Sequence, residues 1–165
     1  MKNEDKLIMS KKVNLASSKA GAEIIDVSDD FFAKCDRMLS DKDPIFIDEK
    51  YDDHGKWMDG WESRRKRVEG NDWAVIGLGG KCSIEDAIID TSHFTGNYPP
   101  AASLDFSCKH SYEQGSMDWQ TLLEKHVLKG DHVNEFKLVK NENVSFVRLN
   151  IYPDGGVARL RLFGD

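Results

Sequence analysis

The sequence predicts an all-β fold, an antiparallel β-sandwich or jelly roll that carries one or two short helices. Three observations lead to this fold class: short apolar runs are bounded by glycine-containing turns, apolar and polar residues alternate strictly in 102–108, and helical periodicity is scarce. Short strands with frequent turns favour two packed antiparallel sheets over a parallel α/β fold. No internal repeat is visible.

The N-terminal residues 1–12 are polar and lack a period, so they are predicted to form a flexible tail. A single domain is predicted over residues 13–165, a length that is ordinary for one folded unit. Its helix is expected at residues 31–35, because Ser28 can serve as the N-cap and acidic residues follow it in the first turn.

Three segments are predicted to form strands. Segments 73–78 and 84–91 are apolar runs of strand length, and the alternation in 102–108 is typical of a strand with one buried face. Segment 119–128 is interpreted as a short helix or an irregular connection.

The clearest predicted element is a final hairpin of 146–152 and 157–163, because the residues between them favour turns. Its register would pair Arg148 with Arg161. The inner face would hold Leu149, Ile151, Ala158, Leu160 and Leu162, and the other face Arg148, Asn150, Tyr152, Arg159 and Arg161. Opposed like charges need a neutralising anion, which is either a ligand or an internal carboxylate. The internal candidates are Glu62, Asp90, Asp105 and Asp154.

Composition and charge exclude several classes of function. With 29 acidic and 23 basic residues the formal net charge is −6, which opposes a phosphate-binding surface, so no nucleic-acid partner is expected. No apolar run approaches the roughly 20 residues that cross a bilayer, and the N-terminus lacks a secretory signal. The ending 163–165 is not a peroxisomal signal. The expectation is a soluble, cytoplasmic protein without a membrane partner.

The cysteine and histidine patterns do not indicate a metal centre. Cys35, Cys82 and Cys108 are widely spaced in apolar surroundings, which favours buried free thiols over disulfides or a metal knuckle. Four histidines are scattered without ligand spacing: His54, His110, His126 and His132. No metal and no cofactor are therefore expected.

Segment 56–67 places aromatic, carboxylate and guanidinium groups close together, among them Trp61, Glu62, Arg64 and Arg65. One interpretation is a rim that binds a small anion, because arginine matches carboxylates and an adjacent glutamate can move protons. The other is a solvated basic edge strand whose tryptophans cap the core.

Segment 89–100 follows an apolar strand and gathers polar groups at the strand end, where loops commonly hold binding sites. His93 is its general acid or base candidate, because an unperturbed imidazole titrates near neutral pH. The alternative is structural, with Asp90, Thr91 and Asn97 satisfying loop backbone groups.

Taken together, these segments resemble the allantoicase family. The similar segments occur in family order and cover nearly all of the domain: 14–17, 29–33, 57–67, 70–73, 89–101 and 147–162. Segments 81–83 and 110–114 match more loosely. The resemblance implies a galactose-binding-like jelly roll and the hydrolysis of allantoate to ureidoglycolate and urea in purine degradation.

Within that resemblance, residue types suggest roles at a site for a small carboxylate bearing two ureido groups. Glu62 and His93 are the predicted catalytic acid/base pair. Arg64 or Arg65, with Arg161, is predicted to hold the carboxylate. The remaining predicted substrate-binding residues are Asn97, Arg148, Asn150 and Tyr152.

The family carries two such repeats in one chain, and this chain holds one, most similar to the first. If the family site draws on both repeats, the chain would act as a homo-oligomer or pair with a separate second-repeat chain. The alternative is a non-catalytic jelly-roll module that binds a ureide or a carbohydrate.

Overall fold

The computed structural model describes residues 12–165, in which short antiparallel strands dominate. The strands are β1 (Val13–Asn14), β2 (Glu23–Val27), β3 (Tyr51–Asp52), β4 (Gly55–Lys56), β5 (Trp61–Glu62), β6 (Asp72–Cys82), β7 (Ile84–Asp90), β8 (Ala101–Ser107), β9 (Gln120–Val127), β10 (Val133–Lys137), β11 (Val144–Tyr152), β12 (Gly156–Val157) and β13 (Arg159–Gly164). Two 3₁₀ helices span Ser18–Ala20 and Cys35–Leu39. The predicted tail lies outside the described residues except for Lys12.

Two larger antiparallel sheets form the body of the domain. One has the strand order β1-β13-β7-β10, and the other β2-β6-β11-β8-β9. Small two-stranded pairs, β12 with β5 and β3 with β4, lie in the connecting segments. The predicted all-β antiparallel sandwich is therefore confirmed, as are the strands expected around 73–78, 84–91 and 102–108. Within residues 12–165 no helix is long and apolar enough to span a membrane.

Alternating side chains of the large strands fill the core between the sheets. Ile76, Leu104, Leu149 and Leu160 belong to one buried cluster, and each such side chain contributes about 1.5–3 kcal/mol by leaving water. Trp61 joins them with no exposed surface, and its indole Nε1 donates to the carbonyl of Asp29 at 2.8 Å. Trp61 therefore anchors the connecting segment to the core.

The prediction of a helix at residues 31–35 is wrong. The side chain of Asp29 accepts the Phe31 N–H, that of Asp30 accepts the Cys35 N–H, and Ala33 forms a bridge with Glu62. These acidic residues stabilise a turn, since short polar side chains satisfy local backbone donors in turns as readily as at helix starts. The 3₁₀ helix begins only at Cys35.

Segment 119–128 contains the edge strand β9, which is neither of the predicted alternatives. Its buried residues, Leu122 and Leu123, are adjacent in sequence, and the ladder to β8 has register shifts around Leu104. A shifted ladder removes the period of two that identifies a strand from sequence.

The prediction that the last two strands pair as a hairpin is also wrong, although most of the residues predicted to face the core do so. Leu149 and Leu160 both point into the core, but β11 lies in the five-stranded sheet and β13 in the four-stranded sheet. Arg148 is consequently paired with Val75 and Asp105, and not with Arg161. Facing strands of a sandwich and neighbouring strands of a hairpin give the same alternation, so the pattern alone does not distinguish them.

The three cysteines are free thiols that differ in exposure. Cys35 is buried, which raises the pKa of its thiol well above the ordinary value. Cys82 and Cys108 are only partly buried, so the predicted burial is confirmed fully for Cys35 alone.

Candidate functional site

Connecting segments from both sheets meet at one end of the sandwich. The segment after β7 lies against the segment after β11, where the Gly156 N–H donates to the Asn97 carbonyl at 2.8 Å. Gly156 is also paired with Glu62 of β5. The Asn97 side chain completes the junction, since its Nδ2 donates to Glu62 Oε2 at 3.0 Å.

A cavity of about 270 Å³ opens beside Asn97. It is lined by Phe46, Lys56, Met58, His93, Thr95, Asn97 and Asp131. This volume is near the lower end of the range for small-ligand sites, roughly 300–1,000 Å³, and the mixture of apolar walls with a few polar groups is typical of them.

His93 is held rigidly in the wall of this cavity. Its φ of 73° lies in the left-handed region, which is uncommon for residues other than glycine. Its backbone N–H donates to Asp131 Oδ1 at 2.8 Å, and its ring stacks on Phe46 with centroids 5.9 Å apart. Its Nε2 lies 3.2 Å from the carbonyl oxygen of Pro44. Because a carbonyl only accepts, this contact requires a proton on Nε2, and in the neutral form of an imidazole Nδ1 is then the basic nitrogen.

Glu62 does not line the cavity itself; it is connected to the cavity lining by the hydrogen bond that it accepts from Asn97. Burial raises the pKa of the Glu62 carboxyl above its ordinary value near 4.5, and the hydrogen bond from Asn97 offsets only part of that effect. A raised carboxyl pKa brings the group nearer to the pH at which general acids and bases work.

Gly156 is required for the close approach that holds Asn97. A Cβ at this position would overlap the aromatic ring of Phe94. We expect Gly156→Ala to lower the free energy of unfolding by about 1–3 kcal/mol through overpacking, and to lower turnover by displacing Asn97. Denaturant unfolding measures the first effect. Gly96→Ala is the matched control, because the space at Gly96 is open; equal stability losses in both variants would contradict this account.

Three of the predicted binding residues lie elsewhere, in an outer-face network on the five-stranded sheet made of Ser103, Asp105, Arg148, Asn150 and Tyr152. Arg148 Nη2 and Asn150 Nδ2 donate to Asp105 Oδ2 at 2.9 Å and 2.8 Å. The Tyr152 hydroxyl lies 2.9 Å from Ser103 Oγ. The anion that neutralises Arg148 is therefore an internal carboxylate, one of the alternatives that the sequence left open.

The other predicted arginines do not line the cavity either. Arg64 Nε donates to Asp29 Oδ2 at 2.8 Å, and its guanidinium lies 4.8 Å from the ring centroid of Phe31. Arg65 is exposed. Arg161 donates to the backbone carbonyls of residues 40 and 42 at 3.3 Å and 3.4 Å. Glu62, Asn97 and His93 are thus brought together, whereas Arg64, Arg65 and Arg161 are held apart from them.

Lys56 is the functional candidate that sequence reasoning missed. Among the residues that line the cavity it is the single Lys or Arg, and its Nζ lies 4.6 Å from the ring centroid of Phe46. The short β3–β4 hairpin positions it. Lys56 belongs to the segment singled out from the sequence, but the neighbouring arginines suggested the anion site there.

A second cavity, of about 250 Å³, shares Met58 with the first. Its walls include Phe31, Arg37, His54 and Trp57. Within residues 12–165, no group of three or more His, Cys, Asp or Glu side chains is arranged to hold a metal ion.

The family is decided by comparison with known proteins. A protein-family model described as "Allantoicase repeat" matches residues 13–165. This chain belongs to the allantoicase family. The resemblance read from the sequence is therefore confirmed over the whole predicted domain.

Curated relatives of this chain carry the name probable allantoicase. It is 48% identical over 159 residues to a "Probable allantoicase" of Acinetobacter baumannii (strain ACICU), covering 96% of this chain and 47% of the relative. It is 45% identical over 153 residues to "Probable allantoicase 1" of Burkholderia mallei (strain ATCC 23344), covering 92% and 45%. The chain thus spans about half the length of these curated relatives.

Solved structures agree with the family and with the jelly-roll fold. The structure of Saccharomyces cerevisiae allantoicase superposes with a TM-score of 0.82 at 30% identity, covering 99% of this chain and 54% of that one. A structure titled "Structure of allantoicase" gives 0.85 at 28% identity, with the same coverage. A CBM32 module from Clostridium perfringens gives 0.64 at 12% identity over 96% of this chain and 98% of the module, a likeness of fold alone.

Proposed function

We propose that this chain hydrolyses allantoate to ureidoglycolate and urea at the cavity lined by His93 and Asn97. The observation that carries the proposal is the meeting of His93 with the Asn97–Glu62 pair at a cavity of about 270 Å³. Membership of the allantoicase family supplies the substrate class.

The reaction breaks the bond between the central carbon of allantoate and one ureido nitrogen. Water adds its oxygen to that carbon, and its proton ends on the departing urea, so the site needs proton transfer in both directions. We assign this to His93 through Nδ1 and to Glu62, which lies outside the cavity lining and would exchange its proton with the site through one water. Asn97 lines the cavity together with His93 and donates to Glu62, and its amide oxygen is of the kind that can accept a ureido N–H.

The negative carboxylate of allantoate needs a cation, and Lys56 supplies one inside the cavity. Of the arginines predicted to hold the carboxylate, Arg64 would have to release Asp29, and Arg65 and Arg161 do not line the cavity. We therefore propose Lys56 as the carboxylate partner. Substrate binding by the sequence-predicted residues is the alternative: Arg64, Arg65, Arg148, Asn150, Tyr152 and Arg161.

Removal of the Lys56 charge is expected to weaken substrate binding. A charge-assisted hydrogen bond contributes about 1.5–3 kcal/mol, so Lys56→Gln should raise KM about 10- to 100-fold with a smaller change in kcat. Steady-state urea release gives both constants. The matched control is Arg65→Gln, which changes an exposed cation that does not line the cavity; a raised KM in the Arg65 variant together with an unchanged KM in Lys56→Gln would contradict the assignment.

The direct test of the proposed function is urea release from allantoate by the purified chain. Wild-type protein should release one urea per ureidoglycolate formed. Ureidoglycolate itself serves as a comparison substrate, because it retains only one ureido group. A purified, folded chain that binds allantoate but releases no urea at any protein concentration would exclude catalysis.

The second candidate function is a binding module without catalysis, and the outer-face network favours it. Arg148 stacks over Trp119 at 4.6 Å, and Lys125 lies 4.3 Å from the ring centroid of Tyr152, so polar groups and aromatic rings adjoin on one sheet face. Calorimetry with allantoate and with simple sugars, run beside the urea assay, distinguishes the two. Binding lost in Arg148→Gln but retained in Lys56→Gln would select the module.

We further propose that the active form is a homo-oligomer, in which a second copy supplies a second repeat. Support comes from the relatives, which are about twice as long, and from a strip of exposed apolar side chains beside the cavity. The strip contains Ile45, Phe46, Ile47 and Tyr51. Light scattering should give a mass above that of one chain, and specific activity should fall on dilution. A monomer with undiminished specific activity would exclude this arrangement.

A further inference from the structure

The outer face of the four-stranded sheet carries a fully anchored arginine. Arg159 is 1% exposed, and its Nη2 donates to Asp59 Oδ2 at 2.9 Å. Its Nε donates to the Lys42 carbonyl at 2.9 Å, and its Nη1 reaches the carbonyls of Asp59 and Ala158. A guanidinium has five N–H groups and no acceptor, so these contacts use most of its donors and leave little capacity for a ligand.

The same ion pair holds the backbone next to the candidate site. Asp59 Oδ2 accepts the Ile45 N–H at 2.9 Å in addition to its bond from Arg159. Two residues further along the same strand, Arg161 donates to the carbonyls of Ser40 and Lys42. Both arginines of β13 therefore tie segment 40–45 to the sheet.

Ile45 lies between the two residues that orient His93. The carbonyl oxygen of Pro44 accepts from His93 Nε2 at 3.2 Å, and the ring of Phe46 stacks on the imidazole. The position of the Ile45 backbone therefore fixes both the hydrogen bond and the stacking surface of His93.

We infer that Asp59 and Arg159 are positioning residues that keep His93 in the orientation and tautomer in which Nε2 donates to the Pro44 carbonyl. This inference rests on the proposed function in one respect, the catalytic role of His93. The link between the ion pair and His93 is a chain of contacts: Arg159 bonds Asp59, Asp59 accepts the Ile45 N–H, and the neighbouring Pro44 carbonyl accepts from His93. A buried pair that served stability alone would leave the tautomer of His93 unchanged when it is removed.

The first test variant is Asp59→Asn, which keeps the shape of the side chain but removes its charge. We expect kcat to fall about 10- to 100-fold, since misplacement of a catalytic group by about 1 Å costs about 10²-fold. Long-range ¹H–¹⁵N spectra of His93 should change from one tautomer to a mixture, and the Ile45 amide should exchange faster with solvent.

Because a lone buried guanidinium can prevent folding, a second variant removes both charges. Asp59→Leu with Arg159→Met replaces the pair by apolar side chains, an exchange that is often neutral for stability. This double variant should fold and still show the mixed tautomer and the faster exchange at Ile45.

Asp86→Asn is the matched control, because Asp86 is a buried carboxylate on the same face of the same sheet, bonded to Lys12 and Lys137 at 2.7 Å. It should leave the His93 tautomer and kcat unchanged. The inference is overturned if the Asp59→Asn and double variants both keep a single tautomer and a protected Ile45 amide, or if Asp86→Asn changes them equally. These spectra remain decisive if the wild type releases no urea, an outcome that would refute only the proposed function.

Discussion

Replacement of Glu62 by Gln is expected to lower kcat for urea release by about 10²- to 10⁴-fold, the usual contribution of a general acid or base. Gln retains an oxygen that accepts from Asn97 Nδ2, so the hydrogen bond at 3.0 Å survives and Asn97 stays in place. The loss would then report missing proton transfer and not a displaced neighbour. Wild-type kcat in this variant would restrict Glu62 to holding Asn97.

The same substitution should raise thermal stability at neutral pH. Burial raises the folded-state pKa of Glu62, so its favourable contribution is complete below the unfolded pKa near 4.5 and is lost as pH rises through the folded pKa. Above the folded-state pKa the wild type carries a carboxylate that burial disfavours, whereas Gln is neutral at every pH. Calorimetric Tm values should favour the variant at pH 7 and converge toward pH 4. Glu69→Gln, at an exposed position in the following loop, should change neither kcat nor Tm.

The second large effect is expected at His93. His93→Asn should lower kcat about 10²- to 10⁴-fold, because the cavity loses the imidazole that exchanges protons with substrate or water. Asn is chosen because it tolerates a positive φ, so the backbone at 73° and its bond to Asp131 are retained.

His110→Asn is the control for His93, since it removes an exposed imidazole from a different loop. Single-turnover urea release separates the chemical step from product release in both variants. A His93→Asn enzyme with the wild-type single-turnover rate would remove His93 from the proposed mechanism.

Side-chain alternation predicted which residues face the core, because burial imposes a period of two on any strand. It did not predict the neighbours of each strand: Leu149 and Leu160 face the same interior from opposite sheets. Arg159 lies on the face opposite the core, as predicted, but its burial there was not predicted, for a related reason. Its burial depends on Asp59 and on the Lys42 carbonyl, partners that lie 100 and 117 residues away in sequence.

The candidate site was predicted in part. Local composition identified the segments that contain Glu62, His93 and Asn97, since clustered polar and aromatic residues at strand ends are visible in sequence. Their meeting depends on the pairing of Gly156 with Glu62, a long-range contact without a local signal. Lys56 was not predicted as a site residue, because its proposed role depends on its position in the cavity lining and its sequence neighbours do not indicate that position.

The most direct test of the account is an NMR titration of ¹⁵N-labelled Glu62→Gln protein with allantoate, since this variant should bind substrate without consuming it. The account predicts that the largest shift changes fall on His93, Thr95, Asn97 and Lys56 around the cavity. Shift changes confined to Arg148, Asn150 and Trp119 on the outer sheet face, with the cavity signals unchanged, would contradict it.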